Sequence, residues 1–175
     1  MRIFRHSLTA MALVGASIVQ ADTLIAGGTI HTMDPANPNK ILVNMWQHRR
    51  EPWFFTSGGP SSGLYMTLDG GKNWKNITEG IPDGFLCWRL VQDHVDKNLM
   101  FLGTEYGIYV SVNGGNKWVK FSSGLPTISI RDLAIQKREN DLIAATFGRG
   151  FYVLDDYSSL RFISANSLKD NLVFT

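Results

Sequence analysis

The chain contains a repeat of about 44 residues, and this limits its architecture more than any other feature. Gly63-Leu64-Tyr65-Met66-Thr67-Leu68-Asp69-Gly70-Gly71-Lys72-Asn73-Trp74 aligns with Gly107-Ile108-Tyr109-Val110-Ser111-Val112-Asn113-Gly114-Gly115-Asn116-Lys117-Trp118 at a shift of 44. The match continues from Gly80-Ile81-Pro82 onto Gly124-Leu125-Pro126. A third, decayed copy begins at Gly150-Phe151-Tyr152-Val153-Leu154-Asp155-Asp156, shifted by 43, so Asp69, Asn113 and Asp156 share one equivalent position. This copy lacks the paired glycines and the tryptophan, as a terminal unit of an array can.

Each Gly-apolar-Tyr stretch follows another apolar run: Ile41 to Trp46, Leu99 to Leu102, and Leu142 to Ala145. These runs are short, β-branched and aromatic, and glycine-rich segments separate them, so they read as strands joined by turns. A period of 40–50 residues with several short strands per unit is the pattern of propeller blades, whose small sheets bury their faces only against one another. The expected fold is all-β: a partial β-propeller of two to three blades, each a four-stranded antiparallel sheet, over residues 41–163.

The strings Thr67 to Trp74 and Ser111 to Trp118 resemble the Asp-box, or BNR repeat, Ser/Thr-x-Asp/Asn-x-Gly-x-x-Trp. The longer stretch from Gly103 to Asp156 resembles the closing blades of exported bacterial propellers of the sortilin/VPS10-like "glycosyl hydrolase" group. The resemblance implies a structural role for Thr67, Asp69, Gly71, Trp74, Ser111, Asn113, Gly115 and Trp118. In such a turn the Asp or Asn accepts backbone N–H groups, the glycines take positive φ, and the tryptophan is buried against the blade. A catalytic role for Asp69 is disfavoured, because an Asn at the equivalent position 113 cannot exchange a proton as a general acid or base.

Residues 1–21 have the three parts of an export signal: Arg2, Arg5 and His6, an apolar run from Leu8 to Val19, and small or tolerated residues up to Ala21. The apolar run is shorter than the roughly 20 residues needed to span a bilayer, so the expectation is a secreted or periplasmic protein with no stable membrane anchor. The formal charge of +2 comes from Arg2 and Arg5, and the remainder carries equal numbers of acidic and basic residues. That balance argues against nucleic acid as a partner. Cys87 is the single cysteine, which excludes an intrachain disulfide, and it reads as a small buried apolar residue.

Residues 21–38 resemble the opening strands of metal-dependent amidohydrolases, so 22–40 reads as a strand segment or tail of that type. The histidines are His6, His31, His48 and His94, with no His-x-His pair. A metal site of that family is therefore not expected, nor is any cofactor, and residues 164–175 read as a C-terminal tail.

The connections that precede the Gly-apolar-Tyr strands fall at equivalent positions and should project from one face. In the first copy the connection is a long insertion, Gln47 to Ser62, with Arg49, Arg50, Glu51 and Trp53. The second contributes Glu105 and Tyr106, and the third Arg149. Arginines suit carboxylate or phosphate groups, and aromatics suit stacking on sugars or peptides. The function expected is an exported, non-catalytic propeller fragment that binds glycan or protein through these residues. The alternatives are a glycoside hydrolase whose full catalytic set lies in a longer parent, and the remnant of an amidohydrolase. Two to three blades leave open faces and edges, so self-association or a missing remainder of the ring is also expected.

Overall fold

The computed structural model describes residues 37–46, 48–59, 62–122 and 124–163. The expected export signal, most of the amidohydrolase-like segment and the 164–175 tail lie outside these residues. In chain order the strands are β1 (Ile41–Met45), β2 (His48–Glu51), β3 (Phe54–Ser57), β4 (Gly63–Thr67), β5 (Lys75–Asn76) and β6 (Cys87–Gln92). There follow β7 (Met100–Thr104), β8 (Gly107–Ser111), β9 (Val119–Phe121), β10 (Ile130–Gln136), β11 (Asp141–Thr146) and β12 (Phe151–Leu154), then a 3-10 helix over Tyr157–Phe162. The chain divides into two compact units, whose described parts are 37–43 with 64–76, and 44–46, 48–59 and 62–63 with 77–122 and 124–163.

The first copy of the repeat gives a sheet of order β1-β4-β5, with three described strands. Its turn is organised by Asp69. The N–H groups of Lys72 and Asn73 donate to Asp69 Oδ1 at 3.0 and 2.9 Å, and Thr67 Oγ1 donates to the same oxygen at 2.7 Å. The Gly71 N–H donates to Thr67 Oγ1. Donation from the backbone and side chain of Asn73, then from Thr67, holds the Asp69 carboxyl well below the usual carboxylate range. Gly70 and Gly71 lie at φ 74° and 95°, where a side chain would be strained. Trp74 is half-buried rather than buried, and its Nε1 donates to the Gly71 carbonyl of its own turn. The expected burial of this residue is thus corrected.

The second unit holds the complete blade, a four-stranded antiparallel meander of order β6-β7-β8-β9. All five residues of β7 and of β8 are buried, as befits central strands covered on both faces. Its turn repeats the first with neutral chemistry: Asn113 Oδ1 accepts from Ser111 Oγ and from the Lys117 N–H, each at 2.9 Å. Trp118 is 1% exposed, and its Nε1 donates to the Ile77 carbonyl at 2.7 Å. Its indole therefore fastens the segment that leads into this blade. Gly80 completes that contact at φ 91°, where a Cβ would collide with the Trp118 carbonyl oxygen.

The third copy forms a three-stranded sheet, β10-β11-β12, that packs on the complete blade. Phe101, Ile108, Val110, Val119 and Phe121 on one side meet Leu133, Leu142 and Ala144 on the other. Gly103 permits the approach, since a Cβ there would sit 3.0 Å from Ile130. Burying each large aliphatic or aromatic side chain in this core contributes about 1.5–3 kcal/mol before entropy is counted.

Asp156 is equivalent to Asp69 by sequence, yet it does not organise a hairpin turn. It lies at φ 41° and caps the 3-10 helix by accepting the Ser158 N–H. The helix inserts Tyr157 and Leu160 into the core and presents Arg161 to Asp93. The expected four-stranded terminal blade is thus three strands and a helix among the described residues.

Candidate functional site

The turns β7–β8 and β11–β12 lie at the end of the second unit where β6 and β10 begin, because Cys87 pairs with Thr104 and Ile130 with Thr146. The same end receives the insertion of the first copy. This insertion is not an irregular loop: His48↔Ser57 through Glu51↔Phe54 pair as a two-stranded hairpin around a Pro52-Trp53 turn. The hairpin base is held by Trp46, whose Nε1 donates to Ser57 Oγ at 3.0 Å. Asn44 Nδ2 donates to the Cys87 and Trp88 carbonyls, tying the end of β1 to β6.

The expected binding residues are partly assembled by this geometry. Trp53 stands at the hairpin tip and is 80% exposed, Arg50 is exposed beside it, and Glu51 is half-buried. The side chain of Arg49 lies outside the described part. Tyr106 stacks on Phe85 at 4.6 Å between ring centroids. Glu105 is half-buried and accepts the Leu86 N–H on Oε1 at 3.2 Å, which makes it a clamp for the strand-entry segment. Arg149 is exposed in the β11–β12 turn.

A more ordered group was not expected from the sequence. In both β6–β7 and β10–β11 the register shifts by one residue at the same place, between Cys87 and Arg89 and between Ile130 and Asp132. The residue thrown out of each ladder is Trp88 and Arg131, respectively. A β-bulge bends its strand and re-aims a side chain, and here two equivalent bulges turn their side chains toward one another. The Arg131 guanidinium carbon lies 4.1 Å from the centre of the Trp88 ring and 5.2 Å from that of Phe147. Trp46 meets Trp88 edge-on, 5.2 Å between centroids at 70°. The next residues pair as well, Arg89 Nε with Asp132 Oδ1 at 3.1 Å.

The result is a row, Trp46–Trp88–Arg131–Phe147, with its ends 40% and 68% exposed. A cation over an aromatic face gains about 0.5–2 kcal/mol, depending on how far it is desolvated, so the row is pre-ordered. Its chemistry is that of a stacking surface carrying one planar fork of N–H donors, suited to sugar rings, hydroxyls and carboxylates. Trp88 Nε1 is buried and has no hydrogen-bond partner among the described residues. The 43-residue offset that aligns Tyr109 with Tyr152 also aligns Cys87-Trp88-Arg89 with Ile130-Arg131-Asp132, and this was the available signal.

No family model matches the sequence, and no curated protein matches it. Solved structures do match the fold. A GH74 enzyme of Niastella koreensis aligns over 72% of this chain with a TM-score of 0.51 and 16% identity, and the GH74 xyloglucanase of Xanthomonas campestris over 78% with 0.51 and 15%. The chain spans only 19% and 22% of those two structures. At that identity the likeness concerns the fold alone: this chain is a partial β-propeller of the kind found in β-propeller glycoside hydrolases.

Proposed function

We propose that this chain is a piece of an exported β-propeller of the Asp-box, sortilin/VPS10-like group, and that it binds glycan without cleaving it. The observation that carries the reading is the row made by the two equivalent bulges. Sugar rings stack on exposed aromatic faces, and a guanidinium fixed between two rings supplies donors for hydroxyl or carboxylate oxygens. Trp53, Arg50, Tyr106 and Arg149 stand on the same end and extend the surface, and Glu105 holds the strand entry beneath it. Asn113 is at the opposite end of its strand from the row, and Asp69 and Asn113 both belong to their turns.

Hydrolysis of a glycosidic bond by retention or inversion needs two carboxyl groups about 5–10 Å apart across a sugar. At this end Asp132 is engaged by Arg89 and Glu105 by a backbone N–H, and Glu51 lies in the hairpin. The likeness in fold to glycoside hydrolases that this chain covers by about a fifth of their length favours one further reading, in which a longer parent supplies the catalytic pair. Export is supported by the signal-like residues 1–21. Among the described residues no helix is long and apolar enough to cross a membrane.

The test is titration of the full chain with xyloglucan oligosaccharides and with oligogalacturonates, followed by calorimetry and intrinsic tryptophan fluorescence. Saturable binding is expected, weakened at least tenfold by Arg131→Ala or Phe147→Ala, with no release of reducing ends. Unchanged affinity in both variants would refute the assignment of the row, and reducing-end release would refute the non-catalytic reading.

A further inference from the structure

The cation of the row is held differently from other arginines of the second unit. Arg89, Arg138 and Arg161 each pair with a carboxylate, at Asp132, Glu139 and Asp93. Arg131 is instead held by rings, 4.1 Å from the centre of Trp88 and 5.2 Å from that of Phe147. A cation–π contact fixes a charge through the ring quadrupole and takes up none of the guanidinium N–H donors. Arg131 is exposed, and its chain neighbour Asp132 is already engaged by Arg89. The row therefore offers a positive charge and a planar fork of donors that its own rings hold in place without consuming.

The repeat places this charge where the preceding blade has an aromatic ring. At the 43-residue offset Arg131 is equivalent to Trp88, and Arg149 to Tyr106. The complete blade thus carries aromatic side chains at both positions where the third sheet carries guanidiniums. Arg149 shares a turn with Phe147, and the turn is closed by the Thr146 N–H and hydroxyl, which both donate to the Gly150 carbonyl, at 3.0 and 2.8 Å. Gly148 and Gly150, on either side of Arg149, lie at φ 83° and 73°. The Phe147 N–H donates to the Ser129 carbonyl at 2.9 Å, which ties this turn to the segment entering β10, the strand of Arg131. Stacking ring and both cations therefore stand on one hydrogen-bonded frame, and a ligand meets them with little ordering left to do.

We propose that the glycan taken by the row is an acidic one, built from uronic acid units, and that Arg131 sets this specificity by donating to the uronate carboxylate. The inference rests on the glycan reading of the row and adds to it the charge of the sugar. A guanidinium bonded to a carboxylate donates through its fork to both oxygens, and such charge-assisted bonds are about twice as strong as neutral ones. Sugar hydroxyls are served equally well by neutral amide or hydroxyl side chains, so a neutral ligand gives no reason for cations at both equivalent positions. Stacking on Phe147 is common to acidic and neutral rings. Arg131 is what tells them apart, and Arg149 adds a second positive charge on the turn of Phe147, which suits a chain with a carboxylate on each unit.

The experiment is calorimetric titration of the full chain at pH 7 with trigalacturonate and with the same trisaccharide methyl-esterified at every carboxyl, which keeps the rings and hydroxyls and removes the charge. The acid should bind about tenfold more tightly than the ester. Raising sodium chloride from about 0.1 M to about 1 M shortens the Debye length from about 10 Å to about 3 Å, and should weaken the acid about threefold while leaving the ester unchanged. Arg131→Gln should bring the two affinities within about twofold of each other, whereas Phe147→Ala should weaken both ligands and keep their ratio. Thermal unfolding midpoints of both variants show whether the sheet is intact, and the comparison of acid with ester on the native chain needs neither variant. Equal affinity of the native chain for acid and ester overturns the inference and leaves the glycan reading standing. Binding of neither overturns both, and a preference that survives Arg131→Gln overturns the assignment to Arg131.

Discussion

Replacing Asp93 with alanine removes the most enclosed charge in the described structure. Its side chain has no solvent exposure, and it accepts Arg161 Nε at 2.7 Å, Arg161 Nη2 at 2.9 Å, the Tyr157 hydroxyl at 2.7 Å and the Asp96 N–H at 2.8 Å. His94 Nδ1 lies 3.3 Å away, and Arg161 also donates to Asn140. Burial alone would raise the carboxyl pKa, but Arg161, Asp96 and Tyr157 together outweigh it and hold Asp93 well below the usual carboxylate range. Breaking a buried pair on one side costs about 3–5 kcal/mol, because the remaining charge keeps its burial and loses its partner. With a urea m-value of about 2 kcal/mol/M, that is a fall in midpoint of about 1.5–2.5 M.

The pH dependence gives the argument its sign. A depressed folded pKa means that the stabilisation is complete above the unfolded value of about 3.9 and is lost as pH falls toward the folded value. Each pH unit below about 3.9 removes about 1.36 kcal/mol, so at pH 2.5 nearly 2 kcal/mol of the difference between native chain and Asp93→Ala should have gone. Urea melts followed by tryptophan fluorescence at pH 7 and pH 2.5 measure both quantities. A midpoint change below about 0.5 M at pH 7, or the same change at both pH values, would refute the view that this ion pair locks the 3-10 helix to the blades.

Three further outcomes follow from local geometry. Asp69→Asn should keep slow hydrogen exchange at the Lys72 and Asn73 amides, as Asn113 does for Lys117, whereas Asp69→Ala should lose it. Gly80→Ala should destabilise the chain by more than about 1 kcal/mol in urea melts, since the position combines positive φ with a collision at the Trp118 carbonyl. Cys87 is buried and its thiol is pushed up to about 11, first by burial and then by Glu105. It should react with a thiol reagent at pH 8 only at the rate of unfolding, and labelling in seconds would contradict its placement.

What the sequence revealed and what it concealed divide by range. The turns at Asp69 and Asn113 were legible because every requirement lies within eight residues: a hydroxyl, an acceptor, glycines at positive φ and a tryptophan. The difference between Trp74 and Trp118 was not legible, because Trp118 is buried by a bond to Ile77, 41 residues away. The third copy misled for a related reason. Asp156 kept its place in the repeat but lost the glycines, and its outcome as a helix cap is supported by Asp93 and Asn140 from the distant connections after β6 and β10. The insertion was read as a loop, although Arg50↔Phe55 and Glu51↔Phe54 pair across Pro52-Trp53. The described candidate residues on the insertion and turns lie at one end of the second unit, but the most ordered surface there is built from Trp88 and Arg131. A bulge is a property of two strands in register, so neither residue shows locally why its side chain leaves the ladder.

The two ends of the strands thus have separate physical tasks. At the motif end of the second unit, polar side chains are consumed internally: Asn113, Asp93 and Asn140 each bond within a turn or to the 3-10 helix. At the other end, large aromatic rings are left exposed at Trp46, Trp53, Phe55, Tyr106 and Phe147, and at the motif end Phe162 of the 3-10 helix is exposed as well. Burying an aromatic side chain is favourable by about 1.5–3 kcal/mol, so the exposed rings forgo that gain, and a cluster of them marks a surface adapted to contact. Here both equivalent bulges carry large side chains that stack on each other, and that coincidence is why the end bearing Trp88 and Arg131, rather than the motif turns, is where ligand contact is expected.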